Sequence, residues 1–113
     1  MHELSIVMGI VDIAEEHARR EGAQSVEEIE LEIGCLTTVE MEAFESAWKQ
    51  AVKTTILEHS VKTIHRTPGR AGCLECAAEF PLENLYDACP DCQGHFLQIY
   101  QGKELRVRSL VIH

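Results

Sequence analysis

Cys73-Leu74-Glu75-Cys76 and Cys89-Pro90-Asp91-Cys92 are two Cys-x-x-Cys steps with twelve residues between them. Each step can turn two sulfurs toward one point, and the spacer is long enough for the chain to return and complete a tetrahedron. That spacing predicts a four-thiolate structural zinc site. With every position filled by protein sulfur, such a site is closed and has none left for catalysis. The same thiolates serve two other chemistries. A redox Cys-x-x-Cys wants its cysteine at the N-terminal end of a helix after a strand, and Pro90 suits a tight turn as well as a helix start. An iron–sulfur centre is the other. Two pairs at this interval favour zinc.

The flanks of the cysteines are acidic: Glu75, Glu79, Glu83, Asp87 and Asp91 surround them, with Arg70 the nearest basic residue. The whole chain of 113 residues sets ten Lys and Arg against nineteen Asp and Glu, a formal charge of −9. Binding phosphates needs a basic face, so the balance argues against a nucleic-acid module. A basic protein partner or a cationic cargo fits better. The length suits one compact domain, or a small one with a metal-bound appendage whose ion supplies folding energy. No run approaches the roughly 18 apolar residues that cross a bilayer. Met1-His2-Glu3-Leu4-Ser5 is neither basic nor followed by a signal-type core. The expected location is the cytoplasm, where neighbouring thiols hold metal rather than form disulfides.

Residues 3–20 read as an amphipathic helix. Leu4, Val7, Val11, Ala14 and Ala18 make an apolar stripe that Ile6, Ile10 and Ile13 widen, and Gly22 is the stop signal. From Glu28 to Gly34, Ile29, Leu31 and Ile33 alternate with glutamates, the period of a strand with one solvated face. Thr37 with Glu40 suggests a capping box for a second helix running to about Lys53, with Phe44, Ala47, Trp48, Ala51 and Val52 on its buried side. Ser60–His65 reads as a strand, Pro68, Gly69 and Gly72 as a hinge into the cysteine region, and Phe96–Tyr100 as a short strand. Leu105–Ile112 is the last strand, with Leu110-Val111-Ile112 expected to be buried on both sides. The predicted fold is α+β: a small mixed sheet covered by two helices, with an inserted zinc-ribbon-like domain built on the four cysteines. Residues 1–68 plus 102–113 form the discontinuous main domain, and 69–101 the insertion.

Cys35 stands alone and reads as a small buried hydrophobe. His2 is a stronger candidate. The terminal amine, the His2 backbone nitrogen and the His2 imidazole can close adjacent chelate rings around one ion, a donor set suited to nickel or copper, with zinc also open. Glu3 can add an oxygen. His17, His59, His65, His95 and His113 have no partner at ligand spacing and read as surface or structural residues. There is no nucleophile–base–carboxylate arrangement, glycine-rich phosphate loop or HExxH stretch, which argues against an enzyme.

Met1-His2-Glu3-Leu4-Ser5, Leu31-Glu-Ile-Gly34-Cys-Leu36 with Val39-Glu40, the Cys-x-x-Cys/Cys-Pro-x-Cys pairs and Gly102-Lys-Glu-Leu105 together resemble the hydrogenase nickel-incorporation family HypA/HybF. The resemblance covers nearly the whole chain in order. It implies a metallochaperone with a nickel-binding α/β domain and an inserted zinc domain. Such a protein delivers Ni(II) to the large-subunit precursor of nickel–iron hydrogenase together with a maturation GTPase. Carried over, it makes His2 the principal nickel ligand. It makes the Met1 amine and the backbone nitrogens of His2 and Glu3 auxiliary donors, Glu3 a support of nickel binding or partner contact, and Glu40 an acidic residue near the amino terminus that can join the nickel shell. Cys73, Cys76, Cys89 and Cys92 become the zinc ligands. A homodimer and service to urease stay open. The chain departs from the family pattern at Thr37, Met41, Thr54–His59 and the carboxy end. Two other readings stand beside this one: a zinc-ribbon adaptor without metal cargo, and a thiol redox protein. Metal analysis before and after nickel addition separates all three.

Overall fold

The computed structural model describes residues 2–113. In chain order it contains α1 (Glu3–Arg20), β1 (Val26–Gly34), α2 (Met41–Ala51), β2 (Val61–Thr67), β3 (Arg70–Cys73), β4 (Glu79–Pro81), β5 (Leu97–Gln101) and β6 (Leu105–Ile112). The strands form two three-stranded sheets, ordered β2-β1-β6 and β4-β3-β5. The protein is a small α+β fold. Its described residues divide into two compact units. One consists of residues through Leu31 with Thr38–Ile64 and Arg106–His113; the other consists of Glu32–Thr37 and His65–Leu105. The 69–101 stretch lies inside the second unit, which also takes in 32–37, 65–68 and 102–105.

In the first unit α1 buries Val7, Ile10, Val11, Ala14 and Ala18, one stripe at helical spacing. Leu4 and Ile13 were expected in that stripe, but they are exposed, as is Met8. The helix ends where the sequence indicates. Gly22 takes a left-handed φ of 67°, the Ala23 N–H donates to the Ala18 carbonyl and the Gly22 N–H to that of Arg19. These two bonds close the last turn as a Schellman motif. β1 buries Ile29, Leu31 and Ile33 while Glu28 faces water, so the alternation is borne out over 28–33; the strand begins two residues earlier than expected, at Val26, which is buried outside that alternation.

The start of α2 corrects the capping-box expectation. The N-cap is Glu40 itself, whose carboxylate accepts the N–H of Glu42 at 3.2 Å and of Ala43 at 2.6 Å. The Thr37 hydroxyl instead donates to the Gly34 carbonyl at 2.9 Å. Glutamate wins because it reaches two of the unpaired amides of the first turn and sets its negative charge at the positive end of the helix. α2 stops at Ala51, short of Lys53, and buries Phe44 and Trp48. Lys62 of β2 lies over the Trp48 ring, 5.5 Å from its centroid, and pairs with Glu45 at 2.6 Å. Val111 of β6 is exposed, so the expected two-sided burial of that strand does not occur; β6 is a sheet edge with only one neighbour.

In the second unit β3 is central and antiparallel to both neighbours, with Ala71 opposite Phe80 of β4 and Ile99 of β5. Its core is Leu36, Ala71, Cys73, Phe80, Leu82 and Cys89, with Leu97 and Ile99 packed against it. The expected hinge is instead a tight crossing. A Cβ on Gly69 would lie 2.2 Å from the Leu82 carbonyl oxygen, and one on Gly34 only 2.0 Å from that of Gly102. The Gly34 N–H donates to the Glu104 carbonyl at 2.7 Å, and the Leu36 N–H to that of Gly102 at 2.8 Å. Glycine serves here to let backbones touch, which is the opposite of freedom to move.

Gly34→Ala is expected to lower unfolding stability by about 2–3 kcal/mol, because backbone, not a flexible side chain, blocks the added methyl. Gly9→Ala, on the exposed side of α1 with nothing within 4 Å of its Cβ position, should raise it by roughly 0.5–1 kcal/mol. Denaturant midpoints of the two variants measured together check both signs.

Candidate metal centres

The two Cys-x-x-Cys segments fold as copies of one loop. The Ala77 N–H donates to the Cys73 carbonyl at 3.0 Å and the Gln93 N–H to that of Cys89 at 2.8 Å. The Cys73 N–H reaches the Ala78 carbonyl, and the Cys89 N–H that of Gly94, both at 2.8 Å. The residue after each second cysteine takes the left-handed conformation, with φ of 64° at both Ala77 and Gln93. The equivalence Cys73/Cys89, Cys76/Cys92, Ala77/Gln93 is therefore structural as well as sequential.

These loops bring four sulfurs together. Cys73 Sγ lies 3.5 Å from Cys92 Sγ, Cys76 Sγ lies 3.6 Å from Cys89 Sγ, and all four are within 4.8 Å of one another. A tetrahedral ion with metal–sulfur bonds of about 2.3 Å has sulfur–sulfur edges of about 3.8 Å. The cluster fits such an ion. The first cysteine of each pair is buried in the core of the unit, and the second is exposed. The N–H groups of Cys76 and Glu75 each point at Cys73 Sγ at 3.4 Å. They hold its thiol down to about 7. At Cys92 the Gly94 N–H pulls the same way, but the Cys73 sulfur, burial and the other two thiols outweigh it and push the group up to about 12. Cys76 is also raised: burial and the neighbouring Cys89 and Cys73 sulfurs overcome the Ala78 N–H. Adjacent thiolates repel, and a cation among them relieves that repulsion.

The N-terminal candidates lie on the first unit. Met1, and with it the amine donor expected there, falls outside the described residues. His2 is the exposed N-cap of α1 and makes no side-chain capping bond. Glu3, the first residue of the helix, accepts the backbone N–H of Glu40 at 3.0 Å across 37 positions of sequence. That N–H holds the Glu3 carboxyl below its ordinary range against the opposing effect of burial. Glu3 and Glu40 are thus neighbours, with the Glu40 carboxylate turned to α2. Among the described residues, only the four cysteines gather three or more His, Cys, Asp or Glu ligand atoms within metal reach.

The remaining candidates divide. Cys35, expected to be buried, is exposed, and its N–H donates to the Thr67 carbonyl. His17, His59, His95 and His113 are exposed, as expected. Leu36, far from the cysteines in sequence, was missed as part of their core. Phe80 and Leu82 carried a readable signal, because Glu79-Phe80-Pro81-Leu82-Glu83 alternates polar or turn residues with apolar ones. No helix among the described residues is long and apolar enough to cross a membrane.

Residues 1–112 match a family model described as hydrogenase/urease nickel incorporation, metallochaperone, hypA. The hydrogenase maturation factor HypA of Parabacteroides distasonis is 45% identical, over 99% of this chain and 97% of that protein. The factor of the same name from Rhodopseudomonas palustris is 39% identical over 99% of each chain. The solution structure of the Ni metallochaperone HypA from Helicobacter pylori superposes with a TM-score of 0.69 at 26% identity, covering 99% of this chain and 97% of the other.

The left-handed turn at Ala77 costs energy that glycine does not incur. Ala77→Gly should therefore raise the denaturation midpoint, by about 1 kcal/mol in stability, without disturbing the sulfurs. A lower midpoint would mean that the loop is not held in this conformation in solution.

Proposed function

Because the chain belongs to the hydrogenase/urease nickel-incorporation family, whose members are metallochaperones rather than enzymes, we propose that it binds Ni(II) at its N-terminus. In this reading it delivers the ion to the large-subunit precursor of nickel–iron hydrogenase, with a maturation GTPase as partner, in the cytoplasm. The observation that carries the nickel site is the placement of His2. It is exposed at the mouth of α1, uncommitted to the helix cap, and next to a carboxylate oriented by another backbone group. The imidazole, the Met1 amine and the backbone nitrogens of residues 2 and 3 supply nitrogen donors suited to nickel, and Glu3 supplies oxygen. An open site of few donors releases its ion readily, as a delivery protein requires.

The cysteine cluster holds a structural zinc in the same reading. Its support is the fit of the four sulfurs to a tetrahedral ion and the two N–H groups turned to Cys73. Bound zinc supplies positive charge to thiolates that otherwise repel one another. The zinc-bearing insertion runs from 69 to 101, and 1–68 with 102–113 form the nickel-binding part. One observation favours a second reading, a zinc-bearing adaptor without cargo: Leu74, Tyr86, Phe96 and Tyr100 of the second unit are large, apolar and exposed.

Untagged protein is expected to retain stoichiometric zinc through purification and to take up nickel separately. His2→Ala should abolish stoichiometric nickel uptake while leaving zinc and the melting temperature unchanged. Metal analysis after desalting reads both ions. Nickel binding that survives His2→Ala would refute the assignment, and zinc without any nickel uptake in the wild type would select the adaptor.

A further inference from the structure

Glu40 has a carboxylate near the N-terminal residues, and two roles compete for it. Its oxygens are committed to α2: Oε1 accepts the Glu42 N–H at 3.2 Å and Oε2 the Ala43 N–H at 2.6 Å. Those are the second and third residues of the helix, and the cap fixes residue 40 in an extended conformation, with φ −88° and ψ 116°. In that conformation the backbone N–H of Glu40 points at Glu3 Oε2, at 3.0 Å. One residue therefore links two helix starts, its side chain closing α2 and its backbone orienting the first acidic residue of α1.

The geometry points to Glu40 as a positioning residue, one that fixes the Glu3 carboxylate beside His2 through its own backbone rather than by ligating the ion. The inference rests on the nickel reading above and concerns which groups of that site touch metal. Losing the cap leaves the first amides of α2 without partners and lets residue 40 rotate, so the Glu3 carboxylate loses the Glu40 N–H without any change in the donors of the site itself. What residue 40 must supply is then a capping oxygen. Serine has one that reaches the third helical amide, here Ala43, and has no carboxylate.

Nickel titration calorimetry on untagged, zinc-loaded protein tests this. Glu40→Ser should bind nickel within about twofold of wild type, whereas Glu40→Ala should bind about fivefold more weakly, the scale of a lost cap. In a Glu3→Ala background, Glu40→Ala should cost nothing further. The proposal is overturned if serine loses as much as alanine, if alanine loses nothing, or if the loss persists without Glu3. A second readout needs no nickel. The backbone amide resonance of Glu40 should move upfield in Glu3→Ala, and that of Ala43 should move in Glu40→Ala and return in Glu40→Ser. Unmoved resonances also overturn it. Should the wild type take up no nickel, the functional reading fails on its own, and these amide shifts still decide whether Glu40 holds Glu3.

Discussion

Four sulfurs within 4.8 Å of one another impose a constraint that most of the second unit exists to meet. The buried core around the sulfurs is small, Leu36, Ala71, Cys73, Phe80, Leu82 and Cys89, and two of the six are cysteines. Apolar burial on that scale stabilises little against the entropy of ordering the chain. The loops accept a cost as well, since Ala77 and Gln93 both stand in a left-handed conformation. A divalent ion at the centre of the sulfurs would offset these terms directly, because its binding energy would be folding energy. The tight glycine crossings at Gly34, Gly69 and Gly102 then make sense as a closed frame around a small core.

The N-terminal candidates obey the opposite logic. His2, exposed, and Glu3, half-buried, sit where a helix begins, with the Glu3 carboxylate oriented by the Glu40 N–H rather than by a buried cage. A thiolate tetrahedron has no free position and exchanges its ion reluctantly, whereas a terminal site with water access can accept and release one. Both designs rest on backbone N–H groups. At Cys73 they lower the proton affinity of a sulfur, and at Glu3 they do the same for a carboxyl. In each case a fixed dipole favours the anionic form that a metal needs.

Much of this was legible in the residues themselves. The Cys-x-x-Cys interval, the glutamate alternation in β1 and the Gly22 stop all act locally, through spacing that no distant contact overrides. The stripe on α1 was legible in its centre and wrong at Leu4 and Ile13, because helical period defines a face but not how wide a neighbouring surface covers it. The cap of α2 was misassigned for a related reason. Thr37 and Glu40 satisfy the capping-box pattern, yet the Gly34 carbonyl competes for the Thr37 hydroxyl, and glutamate reaches the helix amides from the cap position itself.

The sequence by itself determined which residues carry metal-donor groups and where the helices and the main strands run, since donor chemistry and periodicity are properties of the chain alone. Tertiary structure alone decided three things. Leu36 closes the cysteine core from far upstream, Gly69 and Gly102 are points of backbone contact rather than of motion, and Glu40 meets Glu3 across 37 residues. Each depends on groups remote in the chain becoming neighbours, and a bond between a backbone amide and a distant carboxylate leaves no pattern in the order of side chains.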